Sequence, residues 1–280
     1  MATMLMRSAR ARGWAVLTGV LIFGIAILFG LVVFVWSVLA GTGPDTGARP
    51  GVRANITAAP RPSPPPSSTS SSAEAALESA KNALAAKPML PVAPAAALPQ
   101  PIAGPAAEAP VTLPAATNTA GLISTGYPRT PAGAVAQLAA IDALAFRDLN
   151  PSNARAAYDW AALPGSVPLA QWTPQVGVSA ILTAAGTPRG SSELTSAWVL
   201  THAQVKGVLD DGNFVVACVL GELDANYRSA VRAGVGDCQR MVWQAGRWWI
   251  GPGAQPAFAP STWPGSAQCV RAGWLEVANA

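Results

Sequence analysis

The stretch from Trp14 to Ala40 is the feature that most constrains how this chain can fold. It contains no charged residue, and none occurs between Arg12 and Asp45. As a helix it would be about 40 Å long, which exceeds the roughly 30 Å hydrocarbon core of a lipid bilayer. Trp14 and Trp36 lie near its two ends, where tryptophan rings favour the headgroup region. The sequence therefore predicts one transmembrane helix that binds the lipid bilayer.

Basic residues before this helix predict its orientation. Arg7, Arg10 and Arg12 lie in the stub of residues 1–13, and positive charge beside a first helix tends to stay cytoplasmic. Arg49 and Arg53 on the other side weaken this bias. A cleaved signal peptide is the alternative, but its apolar region is usually only about 7–15 residues long. We therefore expect a plasma-membrane protein with a cytoplasmic N-terminus and an extracytoplasmic C-terminal domain.

The distribution of charge argues against nucleic-acid binding. The whole chain has 18 basic and 14 acidic side chains, for a net charge of +4. Three of the basic residues lie in the stub, which leaves 15 against 14 in the exported part. Domains that bind phosphate backbones usually carry a clustered excess of basic residues. We expect no direct contact with nucleic acid.

Residues 41–126 are rich in Pro, Ala, Ser and Thr. Such segments have too few large apolar side chains to offset the entropy lost on ordering, so a disordered linker is predicted. Residues 72–88 interrupt this composition with a short helical pattern. They indicate either a partner-binding or self-associating helix or, as we prefer, a marginal helix within a mobile linker.

From residue 127 the pattern is typical of a folded domain. Three segments begin with a capping residue followed by proline, at Pro131, Pro151 and Pro174, and predict three helices. Alternating segments then predict an antiparallel meander; they are Trp198–Leu209, Asn213–Asp224, Cys238–Gln244 and Arg247–Ile250. This order predicts an α+β domain over 127–256, with helices covering one face of a curved sheet. Residues 257–280 are expected to dock on it as a tail.

Three cysteines lie in the exported part of the chain. If the second and third strands pair about a centre near Arg228, Cys218 and Cys238 lie opposite each other within bridging distance. We expect this disulfide rather than one that uses Cys269. Three scattered cysteines and one histidine lack the spacing of a metal site.

Catalytic chemistry is weakly indicated, so we expect a protein that is not an enzyme and has no cofactor. His202, the only histidine, falls on a strand with no nearby signature of a nucleophile, which favours a packed side chain. Glu222 and Asp224 share one face of a strand, as paired carboxylates of a hydrolase would. Charges at the solvated end of a strand explain them equally well.

Eight of the ten tryptophans lie after the linker. Trp248 and Trp249 are adjacent on a strand, so their side chains must point to opposite faces. The outward ring could form an aromatic interaction surface with Trp263 and Trp274. We prefer the alternative, in which Trp263 or Trp274 covers that ring.

Residues 126–160 and 237–253 resemble uncharacterised membrane proteins of actinobacterial integrative and conjugative elements. The order of stub, anchor, spacer, helices and curved sheet also resembles bitopic components of type IV secretion and conjugation machines. The resemblance implies a nuclear-transport-factor-2-like exported domain and a structural or adaptor role without catalytic residues. It also implies self-association and contacts with other channel proteins. The alternative is an anchored module that binds a small ligand or a wall polymer.

Overall fold

The computed structural model of the chain describes residues 68–104 and 108–279. The predicted stub, the predicted transmembrane helix over 14–40 and the first part of the predicted linker lie outside these residues. Within the described part, no helix is both long and apolar enough to cross a membrane.

Five α-helices occur in the described residues: α1 (Ser68–Ala86), α2 (Pro131–Ala145), α3 (Pro151–Ala161), α4 (Thr173–Ala184) and α5 (Ala267–Arg271). Short 3₁₀ turns occupy Pro94–Ala97, Arg147–Leu149, Leu169–Gln171 and Asp210–Gly212. The three predicted helices are present as α2, α3 and α4. Thr130 and Asn150 cap the first two, since their side-chain oxygens accept bonds from backbone N–H groups at 3.0 and 2.9 Å. The third differs, because Trp172 occupies the capping position and its side chain makes no capping bond.

Eight strands complete the described secondary structure: β1 (Val111–Leu113), β2 (Asn118–Ala120), β3 (Ile123–Thr125), β4 (Thr195–Leu209), β5 (Phe214–Tyr227), β6 (Ser229–Gln244), β7 (Arg247–Ile250) and β8 (Leu275–Asn279). Six form one sheet in the order β1-β8-β4-β5-β6-β7, while β2 and β3 form a small hairpin. Only the β1–β8 pair is parallel in the larger sheet. The meander was therefore predicted in the correct order.

The connection between the second and third predicted strands is much shorter than expected. The predicted strands Asn213–Asp224 and Cys238–Gln244 leave residues 225–237 as their connection, but β5 and β6 pair continuously from Tyr227–Ser229 to Phe214–Val242. Arg228 alone makes the turn, with a positive φ of 61°. The small residues Ala230, Ala233 and Gly234 concealed the alternation, because they carry little of the apolar signal that marks a strand.

Helix α2 packs directly on the concave face of this curved half-barrel sheet, and α3 and α4 pack against α2. The helix layer and the sheet share one buried cluster, whose largest members are Leu138, Ile141, Phe146, Trp172, Leu182, Met241 and Trp248. The predicted α+β arrangement, with helices on one face of a curved sheet, is confirmed.

The convex face is covered as well, which the sequence predicted only for the tail. Helix α1, the segment 87–104 and residues 257–274 pack on it, while the end of the tail joins the sheet as β8. A Cβ atom at Gly207 on β4 would lie 2.8 Å from a methyl carbon of Leu84, so the glycine makes room for α1. Ala85, Ala96 and Ala97 are buried. The prediction of a disordered linker over 41–126 is therefore wrong for its described part, where small apolar residues provide the packing that large ones usually provide.

The disulfide between Cys218 and Cys238 lies within this convex layer. The two residues are directly opposed in the β5–β6 register, as the strand pairing predicted, and their sulfur atoms are bonded. Cys269 remains a thiol, is buried in the same cluster, and has a raised pKa because of its burial. The bridge therefore links β5 to β6 beneath their outer cover.

Candidate functional site

An apolar groove on the convex face is the strongest candidate for a binding site. Its volume is about 370 Å³. One wall is residues 88–94 with Ala97, and the other is residues 257–261. Both walls come from segments outside the helix-and-sheet unit predicted over 127–256.

The first wall is held in place by hydrogen bonds from the sheet and the tail. Lys206 on β4 donates from Nζ to the carbonyl oxygens of Ala85, at 3.0 Å, and Lys87, at 2.6 Å. Burial, together with the nearby charge of Lys87, lowers the pKa of Lys206 to about 8. Farther along, the backbone N–H of Trp263 donates to the carbonyl of Ala96 at 2.6 Å. Because both ends of the wall are bonded, the groove is formed before any ligand arrives.

The second wall is bonded to β6 and to the end of the tail. Ser261 accepts a hydrogen bond from the backbone N–H of Gly236 at 3.1 Å, and Gln255 donates to the carbonyl of Cys238 at 2.8 Å. The indole N–H of Trp274 donates to the carbonyl of Pro260 at 3.1 Å. These bonds fix the position of the wall relative to the first.

The chemistry of the groove suits an apolar partner. Proline has no backbone N–H group, and Pro88, Pro91, Pro94 and Pro260 all line the groove, so few hydrogen-bond donors face it. Leu90 is 46% exposed, which is unusual for a large aliphatic side chain in a well-covered region. The groove therefore offers a preformed apolar surface with little capacity for polar recognition.

Met89, beside the groove, connects it to the disulfide. The sulfur of Met89 lies 3.4 Å from that of Cys238 and 3.9 Å from that of Cys218. This contact places the covalent bridge directly under the proline-rich wall.

The four tryptophans of the predicted interaction surface do not form one surface. Trp248 and Trp274 are 0 and 1% exposed, and Trp263 is also buried, so that part of the prediction is wrong. Trp248 packs inward and its indole N–H donates to the carbonyl of Pro128 at 2.9 Å. Only Trp249 is partly exposed.

The cover over Trp249 also differs from the prediction. The guanidinium of Arg247 lies 3.2 Å from the centre of the Trp249 ring and 3.8 Å from that of Trp160. An arginine between two tryptophans therefore shields the outward ring, while Trp263 lies under Arg232. Sequence reasoning missed this stack because Trp160 is far from β7 along the chain.

No hydrogen bond or ion pair among the described residues joins the three residues weighed for catalysis. His202 is buried on β4, where desolvation lowers its pKa and the carboxylate of Glu276 partly opposes this. Glu222 forms an ion pair with Arg232, and Asp224 is exposed. This arrangement matches the packed histidine and the solvated strand end described above.

Two buried carboxyl groups were missed altogether. Asp142 on α2 and Asp237 on β6 are 0 and 2% exposed and face each other across the concave core. Desolvation raises the pKa of Asp237 to about 7, although hydrogen bonds from Gln239 oppose the shift. Desolvation, together with the charge of Asp237, raises the pKa of Asp142 well above its usual value. Asp142 could have been noticed, because it is the only charged residue in α2.

The described residues contain no group of three or more His, Cys, Asp or Glu side chains that could hold a metal ion. Comparison with protein-family models, with curated proteins and with solved structures finds no match for this chain.

Proposed function

We propose that this protein is a non-catalytic, membrane-anchored structural or adaptor component of a conjugative DNA-transfer or type IV secretion-like apparatus. In this proposal residues 14–40 span the plasma membrane with the N-terminus in the cytoplasm. The extracytoplasmic domain has a nuclear-transport-factor-2-like fold. Copies of the same chain or other channel proteins bind to it. The apolar groove between residues 88–94 and 257–261 is the observation that carries this proposal.

The groove supports an adaptor role because its two walls are fixed and its lining is apolar. A rigid apolar surface binds a peptide segment or a packed side chain with little entropy lost by the protein itself. The first wall directly follows α1, a helix of 19 residues and therefore about 29 Å long. A partner in the groove would thus be bound close to the segment that leads toward the predicted anchor.

A site-specific crosslinking experiment tests this role. A photo-reactive amino acid replaces Leu90 in the groove of the full-length protein in its own cells. The matched control replaces Leu122, which is 64% exposed and lies outside the groove. We expect the Leu90 probe, but not the Leu122 probe, to capture copies of this chain or subunits of a secretion channel, identified by mass spectrometry.

Equal capture at the two positions, or recovery of no channel subunit and no second copy at Leu90, would contradict the adaptor role.

The second candidate is an envelope module that binds a small ligand or a wall polymer. It is favoured by one observation, because a volume of about 370 Å³ falls within the usual range of small-molecule pockets. Retention of the full-length protein on purified cell wall, reduced by Leu90→Glu but not by Leu122→Glu, would support it.

A further inference from the structure

A second pocket lies on the convex face where α1 crosses β5 and β6. Its volume is about 250 Å³. Leu163, Pro164, Val242 and Pro252 provide apolar walls, and the charged side chains of Glu78, Lys81 and Arg240 also line it. The lining of the pocket therefore combines apolar and charged side chains.

Arg240 is a buried cation that lacks sufficient compensation. The residue is 3% exposed, and Nη1 donates to Asn82 at 2.8 Å, a neutral acceptor. Its ion pair with Glu78 is long, since the carboxylate oxygen lies 4.0 Å from Nη2, too far for a hydrogen bond. Nε is buried and has no partner among the described residues. Burial lowers the pKa of Arg240, and the Glu78 charge only partly opposes this.

The position of the guanidinium is fixed from two sides. Its carbon lies 5.2 Å from the centre of the Phe214 ring. On another side the guanidinium packs against the backbone of Gly253, where a Cβ atom on that glycine would lie 2.7 Å from Cζ of Arg240. The glycine also has a φ of 111°, a conformation that other residues rarely adopt. The side chain is therefore held in one orientation before anything binds.

Lys81, the other cation of the pocket, already has its partners. Its ammonium group lies 3.0 Å from Glu78 and 3.0 Å from Asp210. The more weakly compensated positive charge in this pocket is therefore that of Arg240.

We propose that this pocket binds a small monocarboxylate with an apolar body, and that Arg240 pairs with its carboxylate. A planar guanidinium matches the two oxygens of a carboxylate through paired hydrogen bonds. The four apolar walls would surround the rest of the molecule. The bound carboxylate supplies a negative charge at hydrogen-bonding distance from Arg240, in place of the more distant carboxylate of Glu78. This site is separate from the apolar groove and does not depend on the proposed adaptor function.

Titration of the purified full-length protein with 4-fluorobenzoate, followed by ¹⁹F NMR, tests the site. We expect saturable binding in the millimolar range, and no binding of the neutral analogue 4-fluorobenzyl alcohol. Arg240→Gln should weaken binding at least roughly tenfold, since it removes the charge-assisted pair. Arg232→Gln, on the same strand but partly exposed and outside the pocket, is the matched control and should leave affinity unchanged.

Glu78→Gln distinguishes a binding role from a purely structural one. If Arg240 only holds α1 on the sheet, this change weakens the attachment of α1 and does not raise the affinity for an anion. If the pocket binds a carboxylate, removing the competing charge should tighten binding by roughly three- to tenfold. Absence of binding to the wild-type protein, or equal affinity in the wild-type, Arg240→Gln and Glu78→Gln proteins, would overturn the proposal. Tighter binding of inorganic phosphate than of 4-fluorobenzoate would overturn the choice of a monocarboxylate.

Discussion

The two faces of the sheet are covered by segments of opposite composition. Helices α2, α3 and α4 cover the concave face with a periodic pattern of large and small apolar residues. The convex face is covered by α1, residues 87–104 and the tail, which are rich in Ala, Pro and Ser. Both covers nevertheless exclude water from the strands beneath them.

The difference lies in how each cover is held. The concave cover buries many large side chains, so the hydrophobic effect supplies most of its stability. The convex cover buries fewer large side chains. Its stability relies on hydrogen bonds to backbone carbonyls, on the disulfide, and on prolines that reduce the conformational entropy of the unfolded chain. An Ala- and Pro-rich segment can therefore be an integral layer when the surface under it supplies donors and room.

Replacement of one tryptophan on each face tests whether the two covers contribute equally. Trp248 on the concave side and Trp274 on the convex side are both almost fully buried. Each change to alanine should lower the free energy of unfolding by about 3–5 kcal/mol, because a large cavity is created. Chemical denaturation of both variants is the measurement. A loss below about 1 kcal/mol for Trp274→Ala would mean that the convex cover is only loosely attached.

Removal of the disulfide tests the covalent part of the convex layer. Cys218 and Cys238 are separated by 20 positions, and closing a loop of that length stabilises a fold by about 3 kcal/mol. The double change Cys218→Ser and Cys238→Ser should therefore lower the free energy of unfolding by about that amount. Cys269→Ser is a control that keeps the bridge, and its denaturation midpoint should fall less.

The buried carboxyl groups test the polar part of the concave core. The raised pKa of Asp237, about 7 against an ordinary value near 3.8, means that the folded state holds a proton that the unfolded state has released. Stability should therefore fall as pH rises from about 4 to about 7, with a loss on the order of 2 kcal/mol between pH 5 and pH 7. Asp237→Asn should remove the part of this slope that is due to Asp237 in thermal unfolding measured across that range, while Asp142, whose pKa is also raised by burial, keeps its own part.

Asp224→Asn is the matched control for that experiment, because Asp224 lies on the neighbouring strand and is exposed. Its pH profile should follow that of the wild-type protein. Identical slopes for all three proteins would show that another group is responsible for the pH dependence.

Lys206 tests the hydrogen bonds that hold the first wall of the groove. Lys206→Met removes the bonds to Ala85 and Lys87 and should lower stability by about 1.5 kcal/mol. Hydrogen exchange should become faster over residues 84–104 and stay unchanged in α2. Faster exchange in both regions would indicate global destabilisation rather than release of the convex cover.

The sequence was sufficient wherever a pattern has a local cause. Proline after a capping residue marked the starts of α2, α3 and α4, and alternation marked the strands and placed Cys218 opposite Cys238. The same reasoning failed where neighbours along the chain carry no signal. The cover formed by residues 68–104, the Trp160–Arg247–Trp249 stack and the Asp142–Asp237 pair all depend on residues distant in sequence.

By itself, therefore, the sequence determined the class of fold, the order of α2–α4 and β4–β7, and the pairing of its cysteines. Those features follow from periodicity and from backbone preferences, which act over a few residues. The tertiary structure decided that residues 68–104 belong to the folded unit and that they form a groove. That outcome depends on Gly207, which leaves space for Leu84, and on Lys206, which donates hydrogen bonds to two carbonyl oxygens. These contacts join residues distant in sequence, so they exist only after the chain has folded.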